Sequence, residues 1–88
     1  MKYRKKPIVI EARQFTGPED GPAIAGWCGG AYKDPGGAKP LIVVHTLEGE
    51  MVAFPGDWVI HGVIGEFYPC KPEVFAATYE PAEAGALS

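Results

Sequence analysis

The sequence has few of the side chains that covalent catalysis and structural metal sites require. Its only serine is the last residue, Ser88, and it has two cysteines, Cys28 and Cys70, and two histidines, His45 and His61. No serine or cysteine lies at a recognisable nucleophile turn, so a hydrolytic triad is not predicted. The cysteines and histidines also lack the short ligand spacing of structural zinc sites. We therefore predict two free thiols, no bound metal, no cofactor and no enzymatic activity.

One catalytic alternative stays open at this point. His61 could act as a general base, with Glu66 or Asp57 as its orienting group. The simpler interpretation is that His61 faces solvent on a strand or contacts a ligand by hydrogen bonding. The glycine pairs of the chain match no phosphate-binding motif and are most simply turn residues.

Long apolar runs are also missing from the sequence. No stretch approaches the ~20 residues of a membrane-spanning helix, and no apolar signal core follows the basic N-terminus, because Glu11 and Arg13 interrupt the pattern that starts at Ile8. The apolar content of 47% is too high for a disordered chain. These features predict a soluble, cytoplasmic protein without membrane contact.

Positive charge is scarce beyond the N-terminus. Half of the eight Lys and Arg residues lie within the first six positions, and the remaining four face eleven Asp and Glu residues, a net charge of 4 − 11 = −7 from residue 7 onward. Duplex nucleic acids are bound by broad basic surfaces, so general nucleic-acid binding is not predicted. The basic N-terminal segment is either a phosphate-contacting arm or a solvated chain end.

Apolar alternation and turn residues predict about five strands and two short helices. We predict strands at 8–15, 41–46, 51–54, 58–61 and 66–70, and helices at 19–27 and 72–78. A hairpin turn is predicted at Glu48 and Gly49, and a loop at 31–40. Residues 79–81 could return to the sheet as an edge strand. The two hairpins are expected to follow each other in one meander.

These elements indicate a single α+β domain over residues 1–81, followed by a disordered C-terminal tail over 82–88. One curled, partly barrel-like antiparallel sheet of about five strands is expected to pack against the two helices. A chain of 88 residues buries a small core, and the edges of its sheet need cover. We therefore predict a homo-oligomer.

Ten aromatic residues (two Trp, four Tyr and four Phe) are many for this length, and most are needed for the core. An outer patch of ring faces beside a lysine is predicted around Trp58 and Tyr68. Such a patch suits a flat heteroaromatic ligand that carries phosphate, and it equally suits a homodimer seam. The candidate ligand-binding residues are Trp58, His61, Tyr68, Lys71, Arg13 and Trp27.

Three segments of the sequence carry a family resemblance. They are KYRKKPIVIEARQFTG, AGWCGG and TLEGEMVAFPGDWVIHGVIGEFYPCKPEVFAATYEP, in this order. Together they resemble a widespread family of small tailed-phage and prophage proteins, and the resemblance covers nearly the whole chain except residues 31–40 and the tail. It implies a viral origin and the host-cell cytoplasm as location, but no particular activity.

Class analogy with very small, oligomeric phage proteins extends this prediction to function. The first hypothesis is a non-enzymatic anti-defence sponge that sequesters a nucleotide-like immune signal, either a cyclic nucleotide or cyclic ADP-ribose. The alternative is a protein-binding module that inhibits or redirects a host enzyme through a sheet edge or its hairpin tips. A compact enzyme acting on nucleotides is a third class.

Overall fold

The computed structural model describes residues 1–3 and 8–81 of the chain. The predicted tail at 82–88 and most of the basic N-terminal segment lie outside the described residues. Within them the chain forms, in order, β1 (Glu11–Gln14), α1 (Gly21–Cys28), β2 (Ala31–Lys33), β3 (Leu41–Thr46), β4 (Gly49–Ala53), β5 (Trp58–His61), β6 (Phe67–Cys70) and α2 (Pro72–Thr78).

The six strands of the described chain form two antiparallel sheets of three strands each. Sheet A has the order β1-β5-β6, and sheet B has the order β2-β3-β4. The α+β class and the antiparallel pairing are confirmed. The predicted single curled sheet of about five strands is not present, because the two hairpins, β3-β4 and β5-β6, belong to different sheets and form no meander.

The turn at residues 55–57 explains why the strands divide in this way. The Phe15 amide donates a hydrogen bond to the Asp57 carbonyl (2.9 Å), and the Gly56 amide donates to the Phe15 carbonyl (2.7 Å). These bonds join the turn to the end of β1, so β5 continues beside β1 and leaves β4. Gly56 has a φ of 102°, a backbone conformation that glycine adopts without strain.

The core lies between the two sheets and against α1. Ile42 and Val44 lie two residues apart on β3, so their side chains point to the same face, and both are fully buried. They pack in one cluster with Phe15 and with Val59 of β5. The remaining buried members of the cluster are Ile24, Ala25 and Cys28 of α1 and Ala53 of β4.

Most predicted elements are found, and the differences are local. The strands at 41–46 and 58–61 and the helix at 72–78 have the predicted bounds. The first strand is shorter than predicted, the β3-β4 turn lies at residues 47–48, and residues 79–81 form no strand. The short β2 lies inside the predicted loop, where it pairs with β3 and places Ala31 opposite Val43.

Two glycines near the C-terminal end of α1 differ in the space around them. A Cβ atom at Gly30 would collide with the backbone carbonyl oxygen of Val43, because β3 runs close to this position. A Cβ atom at Gly26, on the exposed side of the helix, would meet nothing within 4 Å. Packing therefore requires glycine at position 30 but not at position 26.

We expect Gly30→Ala to lower the free energy of unfolding by about 1–3 kcal/mol, because the backbone must move to admit the methyl group. Gly26→Ala is the matched control and should raise the free energy of unfolding by about 0.5–1 kcal/mol, since alanine is the better helix former. Urea titration of both variants measures the difference. Equal stability of the two variants would contradict the packing of α1 against β3.

Candidate functional site

The six predicted ligand-binding residues lie in two separate clusters, and the register of sheet A explains the division. His61 is paired with Phe67, and Trp58 is paired with Cys70. Because successive residues of a strand point to opposite faces, His61 and Arg13 share the face that packs toward α1, while Trp58 and Tyr68 share the opposite face. No single ligand pocket brings all six together in the described chain.

The first group, which we call the inner cluster, consists of Arg13, Trp27, His61 and Phe67. The Arg13 guanidinium lies 4.4 Å from the centre of the Trp27 ring. Trp27 meets Phe67 edge-on at 5.1 Å, and His61 stacks on Phe67 at 4.4 Å with the rings 10° from parallel. The cation and ring surfaces that were predicted to hold a ligand are largely in contact with each other.

The second group, the outer cluster, consists of Trp58, Tyr68, Phe75 and Tyr79. Phe75 of α2 stacks on Trp58 at 4.0 Å with the rings 5° from parallel, and Tyr79 lies 5.0 Å from Phe75. The hydroxyl oxygens of Tyr68 and Tyr79 lie 3.4 Å apart, within hydrogen-bond distance. All four residues are half-buried. Helix α2 therefore covers the face of sheet A on which an open stacking surface was predicted.

Tyr68 of the outer cluster stays protonated at physiological pH. Burial raises the pKa of Tyr68 strongly, and the hydrogen bond to Tyr79 raises it further. Tyr68 can therefore donate and accept hydrogen bonds but does not serve as a base. Phe75 and Tyr79 were not among the predicted site residues, although their spacing of four on a predicted helix indicated that they share one face.

Lys71 does not lie over the predicted ring pair. Its ammonium group contacts the Asp57 carboxylate at 3.2 Å and lies 5.7 Å from the centre of the Phe54 ring. Asp57 is only 4% exposed and also accepts a hydrogen bond from the Phe54 amide at 2.9 Å. The pair thus joins the turn at residues 55–57 to the residue that precedes α2.

Local surroundings set the protonation of the two thiols and the hydrogen-bond partners of the two carboxylates that were predicted beside His61. Burial raises the pKa of the Cys28 thiol, and burial together with the charges of Asp57 and Glu73 raises the pKa of Cys70. Both cysteines therefore remain neutral thiols near pH 7 and are weak nucleophiles. Glu66 accepts a hydrogen bond from the Ile64 amide at 3.1 Å, and Asp57 is bound to Lys71. The two carboxylates predicted as partners of His61 are thus engaged elsewhere.

No group of three or more His, Cys, Asp or Glu side chains in residues 1–3 and 8–81 could hold a metal ion. Neither helix of that part of the chain has the length and apolar character needed to cross a membrane.

Two grooves flank the end of the molecule where the β5-β6 turn lies. One, which we call the β6 groove, has a volume of about 310 Å³ and lies between residues 46–48 of the β3-β4 hairpin and residues 66–69 of β6, with Met51 beside it. The other is a more open groove of about 600 Å³ along residues 8–11 and 61–63. Among residues 1–3 and 8–81, no lysine or arginine lines either groove.

Large apolar side chains are exposed on the turns at this same end. Leu47 on the β3-β4 turn is 72% exposed, and Val63 and Ile64 on the β5-β6 turn are 61% and 72% exposed. Leu47 and Glu66 line the same groove, so the two turns lie near each other. We call Leu47, Val63 and Ile64 the tip surface. The sequence signal for it was the presence of large apolar residues between the predicted strands.

Comparison with known proteins adds no relationship to this geometry. No family model matches the chain, and neither a curated protein nor a solved structure matches it significantly. The resemblance to small phage and prophage proteins therefore remains a prediction from the three sequence segments.

The Asp57 carboxylate and the Lys71 ammonium should contribute unequally to stability. Asp57→Ala leaves the Phe54 amide without its acceptor, so we expect a loss of about 1–3 kcal/mol of unfolding free energy. Lys71→Met should cost about 0–1 kcal/mol, because the Lys71 side chain is 60% exposed. Thermal unfolding of both variants tests this order, and Asp57→Asn, which keeps a hydrogen-bond acceptor, should recover part of the loss. A larger effect of Lys71→Met than of Asp57→Ala would contradict it.

Proposed function

We propose that this protein is a non-catalytic binding module that recognises another protein through the tip surface. The observation that carries the proposal is the exposure of Leu47, Val63 and Ile64 on two neighbouring turns. The same proposal includes a phage origin and a partner that is a host enzyme, which this protein would inhibit or redirect.

The energetic argument starts from hydration. Turn residues are usually small or polar because turns face water, whereas each of these three side chains exposes apolar area. Covering that area with a partner gains about 25 cal/mol for each Å² removed from water. A contiguous group of exposed apolar residues is accordingly a common mark of a protein interface.

The arrangement of the aromatic rings supports the same choice. The faces of Trp58 and Phe75 cover each other, and so do those of His61 and Phe67. A stacked ligand would first have to separate these pairs. Binding at the tip surface requires no such rearrangement, because its side chains already face outward.

The double variant Leu47→Ser with Ile64→Ser should lose partner binding by at least about tenfold, since two apolar anchors are removed from the contact. Val74→Ser is the matched control, because Val74 is also exposed but lies on α2. Crosslinking of the tagged protein in host lysate, followed by quantitative mass spectrometry, measures the partners retained by each variant. Unchanged partner recovery with the double variant would refute the proposal, and sedimentation analysis would show whether the partner is a second copy.

A second candidate function is the sequestration of a small anionic heteroaromatic molecule, such as a cyclic nucleotide or cyclic ADP-ribose. The observation that favours it is the inner cluster, in which the exposed Arg13 guanidinium lies over Trp27, and the Trp27 ring in turn meets His61 edge-on at 6.2 Å. A guanidinium beside aromatic rings suits a phosphate attached to a planar base. This function comes second because His61 and Phe67 already stack on each other, and a stacked ligand would have to separate them.

If the inner cluster binds such a ligand, calorimetry with a panel of cyclic nucleotides and cyclic ADP-ribose should show saturable heat, and the ligand should be recovered intact after denaturation. Arg13→Gln should then weaken binding by about tenfold or more through loss of a charged contact. Lys33→Gln, on sheet B, should leave it unchanged. Absence of heat with the whole panel would refute this candidate.

A further inference from the structure

We propose that the free edge of β6 binds an extended peptide segment of a partner protein in which lysine or arginine alternates with apolar residues. The inference rests on the proposed function and names the chemistry of the partner that the neighbouring tip surface would help to hold. The partner strand would lie in the β6 groove and extend sheet A by one strand.

The first step is the position of the groove. Phe67 and Tyr68 are successive residues of β6 and point to opposite faces of sheet A, yet both line the groove. A groove that is lined by successive residues of one strand runs beside the backbone of that strand, and here the β3-β4 hairpin forms the other wall. In the described sheet A, β6 is the last strand and pairs only with β5. The groove therefore follows the unpaired edge of β6.

The second step concerns the backbone groups on that edge. The Gly62 amide donates a hydrogen bond to the Glu66 carbonyl at 2.7 Å, which is the first bonded pair of the β5-β6 ladder. Because bonded and non-bonded pairs alternate in an antiparallel ladder, the backbone groups of Tyr68 face β5, and those of Phe67 and Pro69 face the groove. Pro69 fits this pattern, since its missing N–H group would have pointed away from β5.

The unpaired edge of β6 offers few backbone groups for hydrogen bonding. It presents the N–H and carbonyl of Phe67 and the carbonyl of Pro69. A single available donor means that an added strand must place a carbonyl opposite the Phe67 amide, which fixes its register.

The third step concerns the side chains that line the β6 groove. Leu47, Met51 and Phe67 supply apolar surface, and Glu48 and Glu66 supply two carboxylates. No basic residue of the described chain lines the groove. Successive side chains of an extended peptide alternate in direction, so apolar residues can face the groove while basic residues meet the carboxylates. A β6 edge from a second copy fits less well, because it would bring the carboxylates of both copies into one groove.

A set of three fluorescein-labelled hexapeptides tests this inference with the full chain. The first is fluoresceinyl-Lys-Val-Lys-Val-Lys-Val-amide, the second replaces each Lys with Glu, and the third is the first peptide N-methylated at every residue. Fluorescence anisotropy should show that the first binds at least about tenfold more tightly than the second, because of charge, and than the third, because strand pairing needs free amide groups.

Two further measurements locate the binding. Saturation with the first peptide should slow hydrogen exchange of the Phe67 amide at least about tenfold, since this is the donor that the added strand would occupy. Glu48→Lys should weaken binding by about fivefold. Glu19→Lys is the control with the same change in net charge, and it should have no effect, because Glu19 lies near Tyr32, at the other end of sheet B from the β3-β4 turn.

Equal binding of the lysine and glutamate peptides, unchanged affinity after N-methylation, or an unprotected Phe67 amide would each overturn the inference. So would a dimer, detected by sedimentation, in which the Phe67 amide is already protected from hydrogen exchange and which the peptide does not dissociate. The double variant Val63→Ser with Ile64→Ser separates this result from the proposed function, because neither residue lines the β6 groove. Loss of partner recovery in that variant without peptide binding at β6 refutes only the present inference, whereas peptide binding with unchanged partner recovery refutes only the role of the tip surface.

Discussion

The rest of the structure depends on the docking of the turn at residues 55–57 against the end of β1. Two backbone hydrogen bonds with Phe15 hold the turn in place, and the buried Asp57 carboxylate closes it by accepting the Phe54 amide. This contact directs β5 into sheet A and leaves β4 in sheet B. The opposed faces of the two sheets, the core between them and the position of α2 all follow from that division.

The division also decides what the aromatic residues do. Both faces of sheet A carry apolar side chains that must be shielded from water. Aromatic side chains provide this contact on each face. Trp27 from α1 covers part of the inner face, and Phe75 from α2 covers Trp58 on the outer face. The rings are therefore used mainly to hold the helices against the sheet. The turns between strands carry the exposed aliphatic side chains of Leu47, Val63 and Ile64.

Much of the local structure could be predicted from the sequence, because local signals determine it. The alternation in β3, the apolar run of β5 and Pro72 at the start of α2 placed these elements correctly. The assignment of strands to sheets could not be predicted, since it depends on the long-range contact between Phe15 and Asp57. The short β2 was missed for a related reason: its pairing with β3 outweighs the glycine and proline residues that follow it.

The grouping of the candidate site residues shows the same limit. Alternation predicted that Phe67 and Tyr68 point to opposite faces, and the register agrees. It could not predict that α2 would place Phe75 on Trp58, or that Lys71 would contact the buried Asp57. Both contacts depend on the path of the chain after β6. Tertiary packing therefore determines which candidate residues lie together. It separates the group Arg13, Trp27 and His61 from the group Trp58, Tyr68 and Lys71.

Pro69 has a consequence for the behaviour of the protein at high concentration. Strands with fully exposed edges can recruit identical strands without limit, and this is how cross-β fibrils grow. Pro69 removes one donor from the outer edge of β6, so the ladder of bonds that fibril growth needs is interrupted after the Phe67 position. The edge can accept one short segment, and it resists the stacking of many copies.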